Sequence, residues 1–168
     1  MTLAKPVVGF LLLLAMSHYA AGDDLPGDLA GATPGEILDL LHERASAADY
    51  DGYMALFRED GVFLGTDASE RWPVSEFRDY VRERFSTGTG WTYHPRDRHL
   101  AYSPDGSTVW FDEIAVGEAM GPCRGTGVLV RGDAGWRIAH YSLTVLVPND
   151  VVMQVVELAR EAPADSQR

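Results

Sequence analysis

Cysteine, lysine and asparagine are almost missing from this chain of 168 residues, each occurring once, as Cys123, Lys5 and Asn149. A lone thiol forms no internal disulfide, so stability has to come from a buried core. Its place in a strand-like segment argues against exposure, and no Cys–His pattern marks it as a nucleophile. The scarcity of lysine leaves thirteen arginines against twenty-five acids beyond residue 22, a net charge of −12. Such a surface repels nucleic acid and anionic membranes, and no basic stripe interrupts it. No phosphate loop, dinucleotide-binding glycine pattern or Gly-x-Ser-x-Gly elbow is present. His94 and His99 stand apart from any cysteine pair or acidic triad that would complete a metal site. Neither a cofactor nor a metal is therefore expected.

The one long apolar run, Val7 to Met16, is ten residues, about half of the roughly 20 that a membrane span needs. With Lys5 ahead of it and Ala20-Ala21-Gly22 behind, residues 1–22 read as a secretory signal peptide cut before Asp23. That predicts a secreted or periplasmic protein with no stable membrane association after cleavage. Residues 23–32, rich in Gly, Ala and Asp, read as a disordered linker, and residues 163–168 as a disordered tail. What remains suits one domain with its own core, residues 33–150, followed by a C-terminal helix over 151–162.

Within the domain the first half is helical and the second is β. Thr33-Pro34-Gly35-Glu36 is a helix start, with Thr33 as N-cap, Pro34 at the first position and Glu36 closing a capping box. Ile37, Leu38, Leu41 and Ala45 give that helix one apolar face, to about Ala48. Asp49 starts a second short helix with Tyr53, Leu56 and Phe57 inward, predicted to end before Gly61. Pro73 to Phe85 is a third. From Trp91 onward, arms rich in β-branched and aromatic residues alternate with turns: Pro104-Asp105-Gly106-Ser107, then Gly132-Asp133-Ala134-Gly135. Three helices followed by a four- or five-stranded antiparallel meander is an α+β layout.

Several local runs carry a resemblance: Gly65-Thr66-Asp67-Ala68-Ser69-Glu70-Arg71-Trp72, Ser75-Glu76-Phe77, Trp110-Phe111-Asp112-Glu113, Cys123-Arg124-Gly125-Thr126-Gly127 and Val147-Pro148-Asn149-Asp150. Together they resemble the SnoaL-like domains of the nuclear transport factor 2-like superfamily. The resemblance implies a cone in which three N-terminal helices pack on a curved, mostly antiparallel sheet, with a pocket at the open end and homodimers through the sheet. The superfamily holds cofactor-independent isomerases, cyclases, dehydratases and hydrolases beside domains that only bind or assemble, so fold alone selects no reaction. The function expected is an exported pocket protein for a small, largely apolar molecule. An acid–base enzyme and a dimeric interaction module are the alternatives.

Three residues are candidates for acid–base work. Asp67 follows a strand and precedes Trp72, where an aromatic wall could raise its pKa; an Asx-turn is the competing reading. Asp112 and Glu113 point to opposite faces of one strand, so one of them faces the pocket or the helices. A buried carboxylate there needs a partner, and Arg124 on the next strand is the one expected. His140 shares a face with Trp136, Ile138 and Ser142 and suits proton transfer, though it reads equally as a satisfied core histidine. Trp72, Tyr80, Trp91, Trp110, Arg124 and Tyr141 are the candidate ligand-binding residues, with Arg124 or Tyr141 supporting an oxyanion.

Overall fold

Thr33 caps α1 (Pro34–Ala47) through a complete capping box: its Oγ1 accepts from Glu36 N at 3.3 Å, and Glu36 Oε2 accepts from Thr33 N at 2.7 Å. Ala48 ends that helix in the left-handed region, and Asp49, accepting from Gly52 N, starts α2 (Tyr50–Met54). The computed structural model describes Leu29 and residues 31–162. The expected signal peptide, most of the expected linker and the tail lie outside the described residues. Leu29, within the stretch expected to be disordered, is fully buried in the core.

The remaining elements are β1 (Phe57–Leu64), β2 (Arg71–Pro73), α3 (Val74–Ser86), β3 (Tyr93–Tyr102), β4 (Thr108–Gly117), β5 (Gly121–Gly132), β6 (Gly135–Val145) and α4 (Val152–Glu161). The expected continuation of the second helix towards Gly61 is replaced by β1, because the chain pairs beside β6 once Phe57 is reached. A bulge within β1, between Phe57 and Val62, brings Gly61 close against neighbouring backbone. A methyl group there would lie 3.0 Å from Arg58 O and 3.2 Å from Ala139 O.

One six-stranded sheet runs β2-β1-β6-β5-β4-β3, antiparallel except for the β1–β6 pair. Its curved inner face is covered by the first three helices, with α1 against β3 and β6, and α3 against β1 and β2. Ile37, Leu38 and Leu41 of α1, Phe77 and Val81 of α3, and Val109, Leu129 and Ile138 of the sheet form the core. Cys123 is buried there, and burial raises its thiol pKa.

Two bulges set which side chains face inward. In β6, Ala139 is the extra residue, since Ile138 pairs with Leu129 while His140 pairs with Val128. Simple alternation puts His140 and Ser142 with Trp136 and Ile138. The bulge shifts the phase, so Tyr141 and Leu143 continue the buried row and His140 turns to the outer face. In β3, Arg96 pairs with Ile114 and His99 with Asp112, so two residues oppose Glu113 alone. Tyr93 and Arg98 thereby both face inward despite their odd spacing.

Candidate functional site

Aromatic side chains from five elements and the loop before β3 meet where α1, α2 and α3 close over one end of the sheet. Phe63 stacks on Phe77 (4.0 Å between centroids) and on Tyr141 (5.4 Å). Trp91 stacks on Tyr53 at 5.9 Å, and Trp72 on Tyr80 at 4.8 Å. Two neighbouring spaces remain between these rings. The inner chamber, about 40 Å³, is bounded by His42, Tyr53 and Tyr141. The outer chamber, about 190 Å³, is bounded by Glu70, Trp72, Tyr80 and Met120. Phe63, Trp91, Tyr93 and Leu143 border both. The outer space reaches the surface beside Tyr80 and Met120, which are 40% and 47% exposed.

An ionic chain lies behind the inner chamber. Glu113, fully buried on β4, holds His42 Nε2 at 2.6 Å through Oε1. Its Oε2 accepts from Arg98 Nε at 2.7 Å. Arg98 in turn donates through Nη1 to Asp39 Oδ1 at 2.7 Å and to Gly35 O at 3.0 Å, tying β3 to α1. Burial by itself pushes the Glu113 carboxyl up, but His42 and Arg98 outweigh it and hold it below the ordinary glutamate range. An ionised Glu113 accepts only, so His42 Nε2 is the donor, and the lone pair of the neutral imidazole sits on Nδ1. Nδ1 has no hydrogen-bond partner among the described residues.

Tyr141 borders the same chamber. Burial, and then the charge of Glu113, raise its hydroxyl well above the usual tyrosine value, so it remains a protonated donor. A methyl group placed on Gly125 would lie 2.7 Å from Tyr141 Oη and 3.2 Å from Glu113 Oε1. The bare backbone of β5 is what lets the phenol and the carboxylate close together. Burial likewise raises Tyr53 and Tyr93, and Tyr93 Oη lies 3.6 Å from Met120 Sδ.

Four of the six expected ligand-binding residues border these spaces: Trp72, Tyr80, Trp91 and Tyr141. Trp110 and Arg124 do not. Both lie on the outer face of the sheet and are exposed, because the inward phase of β4 and β5 is set by Val109, Phe111 and Glu113 and by Cys123, Gly125 and Gly127. The partner expected for a buried carboxylate is also corrected, since Glu113 is met by Arg98 and His42 rather than Arg124. None of the three expected catalytic residues reaches the cavity. Asp67 closes an exposed Asx-turn, its Oδ1 accepting from Ser69 Oγ at 2.5 Å and Ser69 N at 2.8 Å, bonds that lower its pKa. Asp112 faces outward, opposite Thr126, and His140 is turned outward by the β6 bulge.

His42 lies outside the candidates drawn from the sequence, although Leu38, His42 and Ala45 fall on one helical stripe. That was the available signal. Arg98 left none, because a bulge aims it.

A family model for the SnoaL-like domain matches residues 35–148. The chain belongs to the SnoaL-like domain family. Solved structures agree on the fold. An NTF2-like protein of unknown function from Pseudomonas putida is 12% identical with a TM-score of 0.59, over 70% of this chain and 87% of its own. A protein of unknown function from Mycobacterium tuberculosis is 20% identical with a TM-score of 0.58, over 79% of each chain. A candidate scytalone dehydratase from Novosphingobium aromaticivorans is 10% identical with a TM-score of 0.57, over 67% of this chain and 81% of its own. At these identities the likeness is one of fold. No curated protein matches the sequence.

Proposed function

We propose that this SnoaL-like domain is a cofactor-independent acid–base enzyme acting on a small carbonyl compound whose reacting end is apolar. The observation that carries the reading is His42, on the wall of an aromatic cavity with its Nε2 held by the buried, ionised Glu113. A buried ion network adds little net stability, whereas a carboxylate beneath an imidazole fixes its tautomer and steadies the imidazolium formed during proton transfer. His42 Nδ1 takes a proton from the carbon beside the carbonyl. The electron pair moves onto the carbonyl oxygen, and the Tyr141 hydroxyl donates a hydrogen bond to it. The imidazolium then returns the proton, either to another carbon, giving an isomer, or to a β-hydroxyl that leaves as water.

The same reading includes export and a homodimer. Export is supported by the leader pattern of residues 1–22, and the dimer by the outer sheet face, where Trp110 is 51% exposed beside its half-buried cross-strand partner Val128.

Proton exchange with D2O at the α-carbons of small cyclic ketones, followed by NMR, tests the chemistry without knowledge of the natural substrate. The wild type should exchange well above background. His42→Gln should lower that rate by about 10²–10⁴-fold, and Tyr141→Phe by roughly 10-fold or more. Ketone binding should change little in either variant. Wild-type exchange no faster than that of His42→Gln across the panel would leave a pocket that binds without turnover.

A further inference from the structure

We infer that the outer chamber binds a methylated ammonium group, carried by the substrate at the end remote from the reacting carbon. The inference rests on the acid–base reading above for what happens in the inner chamber, but its own evidence lies in a different set of residues. Trp72, Tyr80 and Trp91 bring three electron-rich rings to one space of about 190 Å³, with Phe63 and Tyr93 behind them. Among the described residues Glu70 is the one charged side chain bordering that space, and no arginine or histidine does. Arg84, whose charge reaches the Tyr80 hydroxyl, donates to Gly90 O at 3.3 Å and does not border the space.

A neutral apolar ligand would gain nothing from the carboxylate in this wall, and an anionic one would be repelled by it. An organic cation satisfies both parts of the lining: ring faces attract it through their quadrupoles, and the carboxylate supplies the counter-charge. Glu70 is held for that task. Its backbone carbonyl accepts from Gly65 N at 2.8 Å, and its Oε2 accepts from Asp67 N at 3.1 Å. Oε1 has no hydrogen-bond partner among the described residues. Gly65 has no side chain to interfere, and a methyl group there would lie 2.9 Å from Glu70 Cβ. The net negative charge of the whole chain draws cations towards the mouth in addition. The two chambers share walls at Phe63, Trp91, Tyr93 and Leu143, so binding energy gained on the ammonium group can hold the carbonyl end against His42.

Calorimetric titration with choline and with 3,3-dimethylbutan-1-ol, its uncharged isostere, separates charge recognition from simple burial. The wild type should prefer choline by about tenfold or more. Glu70→Gln and Tyr80→Leu should each remove most of that preference, while His42→Gln should leave choline affinity unchanged. Equal affinity for the two ligands, no choline binding at millimolar concentration, or a preference that survives in both Glu70→Gln and Tyr80→Leu would overturn the inference. A protein that binds choline in this way yet exchanges no ketone protons would keep the ammonium site and lose only the acid–base reading.

Discussion

Glu113 has no contact with water, and its two oxygens are divided between an imidazole and a guanidinium. Removing one member of such a set leaves a buried charge exposed to its own desolvation cost. Glu113→Gln should therefore destabilise the fold by about 3 kcal/mol, read by denaturant unfolding near neutral pH. The carboxyl titrates lower in the folded chain than in the unfolded one. Its contribution is thus complete above the unfolded value of about 4.3 and is lost as the pH falls through the folded one. Wild-type stability should fall as the pH drops below about 4.3, and the drop should be shallower in Glu113→Gln. Equal slopes would show that this carboxylate is not the group responsible. Part of this was legible beforehand: Val109, Phe111, Glu113 and Ala115 alternate along β4, so burial of Glu113 was one of two open choices. Its partners were not legible, because His42 lies 71 residues away and Arg98 reaches it only through a bulge.

At the scale of elements, α1 delivers both ends of the ionic chain, Asp39 and His42, and its start is fixed by the Thr33–Glu36 box. Thr33→Ala removes the side-chain arm of that cap and should cost about 1 kcal/mol in equilibrium unfolding. A loss near zero would mean that the Arg98 bonds to Gly35 and Asp39 anchor this end unaided. Local chemistry predicted the cap correctly because every atom of it comes from four consecutive residues. The phase of β6 escaped prediction for the opposite reason. Nothing between Ile138 and Tyr141 marks Ala139 as an extra residue. The bulge exists because β6 pairs with β5 on one side and with the irregular β1 on the other. That single added residue exchanges His140 for Tyr141 at the cavity.

At the scale of the molecule, the sheet has one face under helices and, among the described residues, one without them. On that second face Trp110 stands beside half-buried Val128, with Asp112, and then Ile114 opposite Arg124, further along the strand. If the proposed homodimer forms through this face, Trp110→Glu should weaken it by about 30-fold or more, as expected for a central aromatic anchor. Light scattering across a concentration series reads this directly. A wild type that stays monomeric throughout would remove the dimer. Helix α4 has no buried residue, and its Met153 and Leu158 are 63% and 67% exposed. Composition, capping residues, turn chemistry and alternation determined by themselves that this is an α+β chain with helices first and a long-armed sheet after. Those signals act between near neighbours and survive in the order of residues. Which carboxylate is buried, which histidine meets it and which phenol faces the cavity were decided only by tertiary structure. Each depends on strand register and bulges, and these are set by partners far away in the chain.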